Sequence, residues 1–170
     1  MPNSPAAKRI KEAYLELLGQ FPNGPITVTQ IAQRAHVNRV TFYRLYETQE
    51  EVLLDILDEF DRNNRACMVG FDQSSSYELP VRKMLELHRA NMPMLRTVLR
   101  SNMAPVLEKR IEGGIRNPVI ADASLSSMLM TFYVAGISKV ICEWLLGGCV
   151  ESVDEMIAFL SGSNAMLQPK

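Results

Sequence analysis

Few side chains in this sequence could carry covalent chemistry: two histidines, His36 and His88, and three cysteines, Cys67, Cys142 and Cys149. His88 with Cys142 is the only catalytic-looking pair, and no motif ties it to an acid or an oxyanion hole. The cysteines are odd in number and lack the CxxC spacing of a metal site, so they read as reduced thiols of a cytoplasmic protein. Neither an enzyme nor a metal or organic cofactor is expected. Non-covalent chemistry is better represented. Arg39, Val40, Thr41, Tyr43 and Arg44 crowd guanidinium and hydroxyl donors into six residues.

The charge around that cluster is unevenly spread. The net charge is −1, yet residues 1–46 hold Lys8, Arg9, Lys11, Arg34, Arg39 and Arg44 against only Glu12 and Glu16. Residues 47–61 then hold seven acids and no base. A basic head on a nearly neutral chain is what phosphate binding requires, because phosphate neutralisation supplies most non-specific affinity for nucleic acid. A chance fluctuation would look the same, so charge alone does not decide.

The elements that must position these residues are helices. Ile10, Ala13, Tyr14, Leu17 and Leu18 fall at helical spacing within Ala6–Gln20, before the turn cluster Phe21-Pro-Asn-Gly-Pro25. Thr27-Val-Thr-Gln30 is a capping box that opens a helix through Ala35. Asn38 is an N-cap for a short helix through about Leu45, and Thr48-Gln-Glu-Glu51 is a second capping box for a helix to about Cys67. Beyond a polar loop at Gln73–Ser76 come helices over Leu79–Ala90, Met92–Ser101 and about Val106–Ile111. Gly113-Gly114 and Asn117-Pro118 then mark a break. A long helix over about Asp122–Leu146, stopped by Gly147-Gly148, precedes a last one opened by the box Ser152-Val-Asp-Glu155. The fold class is all-α. A helix-turn-helix head is expected over residues 1–50 and a helical regulatory and dimerisation body over 51–170.

A helix-turn-helix needs two short helices crossed steeply through a tight turn, with the second free to enter a major groove. Ile31, Ala32, Val37 and Phe42 would hold the pair together, leaving Arg39, Val40, Thr41, Tyr43 and Arg44 outside. A helix so short has too little apolar face to exist only for packing. The order Ile26-Thr-Val-x-x-Ile-Ala-x-x-Ala-x-Val-x-x-x-Thr-Phe-Tyr-x-x-Tyr46, followed by a Thr-capped Glu-Glu-x-Leu-Leu helix, resembles the TetR family of bacterial repressors over about residues 8–54. That resemblance implies a sequence-specific transcriptional regulator, expected to repress from a double-stranded DNA operator. It also implies roles. Thr27 and Thr29 would touch phosphate through hydroxyls and backbone amides. Arg39 and Val40 would read bases, an arginine suiting guanine O6/N7 and a valine a thymine methyl. Thr41 and Tyr43 would bond phosphate, and Arg44 phosphate or a base edge.

Two positions depart from the family. His36 stands where a turn glycine is usual, which predicts a positive φ at a modest energetic penalty. Gln49 stands where a lysine usually grips phosphate, and its neutral amide would bond more weakly. Simpler readings stay open beside these. Thr27 also suits a cap alone, Arg34 a solvated face, and Tyr43 and Tyr46 a place in the core. A protein-interaction adaptor with weak or lost operator binding is the competing functional class.

Past residue 70 the resemblance is one of outline. Phe132-Tyr-Val-Ala-Gly-Ile…Glu143-Trp-Leu-Leu-Gly-Gly is similar to the subgroup that includes dihydroxyacetone-kinase regulators, and implies no particular ligand. The long greasy segment carries Lys139 and Glu143, charges that are costly at a bilayer centre, so no membrane is expected. A helix apolar on most faces must be covered on most faces, which with the last helix suits a two-fold homodimer. Nine of the ten methionines lie beyond residue 60. Met84, Met92, Phe132, Tyr133 and Trp144 are candidates to line a pocket for an apolar small-molecule effector, against plain core packing as the alternative. Eight bases against three acids in 82–116 would favour an anionic ligand or merely a solvated face.

Overall fold

Short polar side chains that bond a free backbone N–H open several helices of this chain. The computed structural model describes residues 4–67, 78–115 and 127–165. Ser4 Oγ accepts from Ala7 N at 3.1 Å, and Pro5 follows at the first helical position, where its missing N–H costs nothing, to start α1 (Pro5–Gln20). Thr27 and Gln30 close a reciprocal capping box at α2 (Val28–Arg34), and Asn38 caps α3 (Arg39–Tyr43). At α4 (Gln49–Cys67) the box is incomplete. Glu51 N donates to Thr48 Oγ1 at 3.2 Å, but the Glu51 carboxylate takes the N–H of Glu47 instead of Thr48. The elements continue with α5 (Glu78–Ala90), α6 (Met92–Leu99), α7 (Ala104–Ile115), α8 (Ser127–Gly147) and α9 (Val153–Ala165), with no strand among the described residues. Ser152 and Glu155 close a full box at α9, and bonding to Ser152 holds the Glu155 carboxyl below its ordinary range.

Two compact units result. The first spans Met1–Arg62 together with Thr97–Leu107. Within it α1 packs on α2 and α2 on α3, over a core of Ile10, Leu18, Ile31, Phe42, Leu53 and Leu57. The corner between α6 and α7 belongs here, with Asn102 N donating to Pro22 O at 3.0 Å. The second unit spans Asn63–Arg96 and Glu108–Lys170. There α5 packs on α9, Arg82 bridging Glu78 and Asp154.

One expected break does not occur where the sequence placed it. α7 runs through Gly113 and Gly114 to Ile115, although each glycine costs a helix about 1 kcal/mol relative to alanine. Burial of Leu107, Ile111 and Ile115 on one stripe offsets that cost, and a Cβ on Gly114 would sit 3.6 Å from Asn64 Nδ2. The Gln73–Ser76 loop, Asn117-Pro118 and the first turn expected at Asp122 lie outside the described residues.

α8 divides lengthwise. Val134, Ile137, Ile141, Trp144 and Leu145 are buried within the chain, while Met128, Phe132, Gly136, Lys139, Glu143 and Gly147 are exposed. Met128–Gly147 is long and apolar enough to cross a membrane, and 39% of its apolar window is buried inside the chain. The exposed ion pair of Lys139 and Glu143, 2.9 Å apart, lies within that stretch. The helix ends on two residues at positive φ, Gly148 (91°) and Cys149 (54°), whose amides bond Leu145 O and Trp144 O.

His36 has φ 52°, in the turn between α2 and α3, as its place in the sequence predicts. Its ring is exposed, so only the backbone is constrained. His36→Gly is therefore expected to stabilise the protein by roughly 0.5–1 kcal/mol, the left-handed penalty less the extra entropy of an unfolded glycine. Urea unfolding measures this, and a lower midpoint would mean that the imidazole contributes contacts of its own.

Candidate nucleic-acid interface

α3 is five residues long and buries one side chain, Phe42. The Asn38 side chain accepts from Thr41 N at 2.7 Å and so fixes the first turn. The Phe42 ring meets Tyr43 edge-on, with centroids 5.7 Å apart, and Tyr46 at 5.9 Å. With Phe42 turned inward, helical geometry turns the rest outward. Arg39 and Arg44 are exposed, Val40 is 77% exposed and Tyr43 56%. Thr41 is half-buried.

The other expected contacts flank this helix in the first unit. Thr29 is exposed on α2, and Gln49 is half-buried at the start of α4. Thr27 is exposed but its hydroxyl is engaged, donating to Gln30 Oε1 at 2.8 Å and accepting from Gln30 N at 3.3 Å. Arg34 is engaged too, by Glu16 at 2.9 Å and Gln20 at 3.2 Å, so it ties α2 to α1 across the surface. Arg39 and Arg44 have no acidic partner among the described residues. A valine exposed beside two such arginines buries nothing and satisfies nothing within the chain.

A polar group that sequence reasoning missed lies beneath. Tyr46 is buried, and its hydroxyl donates to Asp55 Oδ2 at 2.8 Å. The same oxygen lies 3.0 Å from Lys11 Nζ, which also reaches Glu59 at 2.9 Å. Burial disfavours the charge on Lys11, but Glu59 and Asp55 outweigh it and leave its pKa above the ordinary lysine value. Burial, and then the neighbouring Asp55, push the Tyr46 phenol well above its usual range. The aromatic and apolar spacing marked Tyr46 as core. No local pattern marks its hydroxyl, because the partners lie on two other helices.

The two residues that looked suited to catalysis are both buried. His88 is buried with Nδ1 2.8 Å from Met84 O, one turn back along α5. Cys142 is buried, and that burial pushes its thiol up to about 11, the wrong direction for a nucleophile. Cys149 is buried as well, and the side chain of Cys67 lies outside the described residues.

The five pocket candidates do not behave as one lining. Met84 and Trp144 are buried, the latter with Nε1 donating to Glu151 O at 3.0 Å, whereas Met92 and Tyr133 are half-buried. Phe132, expected to line an internal cavity, is instead 71% exposed. It lies about three turns along α8 from Trp144 and faces solvent where Trp144 is buried, so one internal cavity does not take both. A surface groove of about 440 Å³ between α8 and α9 includes Trp144 with Val140, Val150, Met156 and Phe159, and none of the other four candidates.

No family model and no curated protein matches the sequence. Solved structures do match in fold. The chain is similar to a dihydroxyacetone kinase operon activator, DhaS, with 18% identity over 92% of each chain and a TM-score of 0.56. It is similar to a TetR transcriptional regulator from Streptococcus agalactiae 2603V, with 20% identity over 91% of this chain and 90% of that one, at a TM-score of 0.67. It is also similar to the fatty acid degradation regulator FadR from Bacillus halodurans, with 15% identity over 93% of each chain and a TM-score of 0.63. The chain thus has the all-helical fold of TetR-type regulators.

Proposed function

We propose that this protein is a sequence-specific DNA-binding transcriptional regulator, a cytoplasmic homodimeric repressor whose operator binding answers to a small-molecule effector. The observation that carries the reading is α3, a helix of five residues that spends one side chain on the core and turns Arg39, Val40 and Tyr43 to solvent, with Arg44 exposed at its C-cap. In this reading Arg39 contacts a guanine edge and Val40 a thymine methyl, while Thr41, Tyr43 and Arg44 bond the flanking phosphates. Thr29 and Gln49 add phosphate contacts from either side. Thr27 contributes through backbone position more than through its engaged hydroxyl.

Dimerisation follows from what α8 leaves uncovered. The exposed face with Met128 and Phe132, continued by Phe159 on α9 and the groove beside Trp144, is read as an isologous contact between two copies. The exposed Lys139–Glu143 pair favours that reading over a bilayer, where two charges would lose their hydration. A dimer also supplies two recognition helices, which one short helix needs for useful specificity. The effector is proposed to be apolar and flexible, contacting Met84, Met92 and Tyr133 in the second unit. Phe132 is assigned to the dimer face and Trp144 to the body core beside it.

Arg39→Ala is expected to cost about 1–3 kcal/mol against the preferred duplex and to relax one base position, whereas Tyr43→Phe weakens all sequences evenly. Electrophoretic shift of fragments selected from a random-sequence library reads both. If neither variant differs from the parent, α3 does not read DNA; if the parent enriches no fragment, the adaptor reading takes over. Phe132→Asp and Phe159→Asp are expected to give folded monomers by sedimentation, since each puts a charge on an exposed apolar face. Ile157, which also lies on α9, is a poor choice because it is already buried in the chain's own core. A parent that sediments as a monomer at micromolar concentration rules the dimer out. Thermal-shift screening of apolar metabolites should find a ligand whose affinity falls in the presence of operator by the factor it imposes on operator binding, as linkage demands.

A further inference from the structure

We infer that Tyr46, Asp55 and Lys11 are positioning residues for the recognition helix, holding α3 at the angle that separates its preferred duplex from any other. The inference rests on the DNA-binding reading above and deepens it.

A helix that buries only Phe42 is weakly fixed by packing, because rotation about one ring loses little contact. Its start is held by Asn38. Past its end the amides of Leu45 and Tyr46 both bond Phe42 O at 2.9 Å, which curls the chain back and returns Tyr46 to the core. The Tyr46 ring would fill that space equally well as phenylalanine. What the tyrosine adds is one hydroxyl, aimed at Asp55 Oδ2 on α4, and that oxygen also receives Lys11 from α1. Three segments of the first unit therefore converge on a single carboxylate oxygen. The Lys11 and Asp55 side chains are only 12% and 17% exposed, so water offers little compensation when either donor moves away. Such shielded polar contacts discriminate between arrangements more than they add stability, which is the property a recognition helix needs at its free end. The acidic run after α3 takes on a second meaning in this light. Asp55 and Glu59 lie on α4 as anchors for the head, facing Lys11 and Tyr46.

The test uses the full chain and a duplex enriched from a random-sequence library by the parent protein, with a scrambled duplex of equal length as the comparison. Both affinities are measured well below each variant's unfolding midpoint, and amide exchange is followed at residues 39–46. Tyr46→Phe, which removes one oxygen, is expected to weaken the enriched duplex roughly three- to tenfold and the scrambled one less than about twofold. It should also speed exchange in α3 relative to α2. Lys11→Arg should retain discrimination and Lys11→Met lose it. In an Asp55→Ala background the further change Tyr46→Phe should add nothing. Equal losses on both duplexes, or undisturbed exchange in α3, would reduce the group to a stability role and overturn the inference while leaving the DNA reading intact. A parent that enriches no duplex overturns both, whatever the exchange shows.

Discussion

A helix of five residues with one buried side chain is the constraint on which the rest of the head depends. Five residues make less than one and a half turns and cannot be stable alone, since helix nucleation is unfavourable and only neighbouring structure makes it persist. Everything around α3 supplies what it lacks. α2 packs on α3 and buries Ile31 and Ala32 in the core that holds Phe42, the turn at His36 accepts a left-handed backbone, and Asn38 satisfies the free amide of Thr41. Because its own packing needs are met by one ring, four of the five positions are released from the core. What this helix leaves exposed is a consequence of how little it buries.

Charge in the first unit has two separate uses. Arg39 and Arg44 face solvent without acidic partners among the described residues, whereas Lys11 and Arg34 are held by acids on neighbouring elements. Bases counted together along the sequence thus divide into those that hold helices to one another and those free to meet an anion. Exposed pairs such as Arg34 with Glu16 contribute little energy, about 0–1 kcal/mol. The shielded pair of Lys11 and Asp55 is more consequential, because removing one partner leaves the other charge poorly hydrated.

In the second unit the dominant feature is a helix with two apolar faces and one covering. The face of α8 around Ile141 and Leu145 is buried by the chain itself, and the face around Phe132 is not. Water contact with that second face is unfavourable in proportion to its apolar area, which is the driving force a second copy would relieve. Trp144 joins the two regions, its ring buried and its indole N–H spent on Glu151 O, so it stabilises the end of α8 whether or not the groove beside it is filled.

The sequence by itself determined where α1 to α4 form. Polar caps at Thr27, Asn38 and Ser152, apolar spacing on α1 and α4, and the left-handed residue at His36 are all local requirements, satisfied within a few residues and therefore written in a few residues. The outward set on α3 was legible for the same reason, since a helix that short has few ways to turn. Only the tertiary structure decided what depends on distant partners. It carried α7 through two glycines because a buried stripe outweighed their local cost, and turned Phe132 outward when methionine and aromatic content alone placed it in a cavity. It placed residues 97–107 with the head, and gave the hydroxyl of Tyr46 a carboxylate nine residues away and a lysine thirty-five residues back. Periodicity tells which face of a helix is apolar. Which neighbour covers that face, and which polar atom meets another across it, is set by how the helices pack and has no local signature.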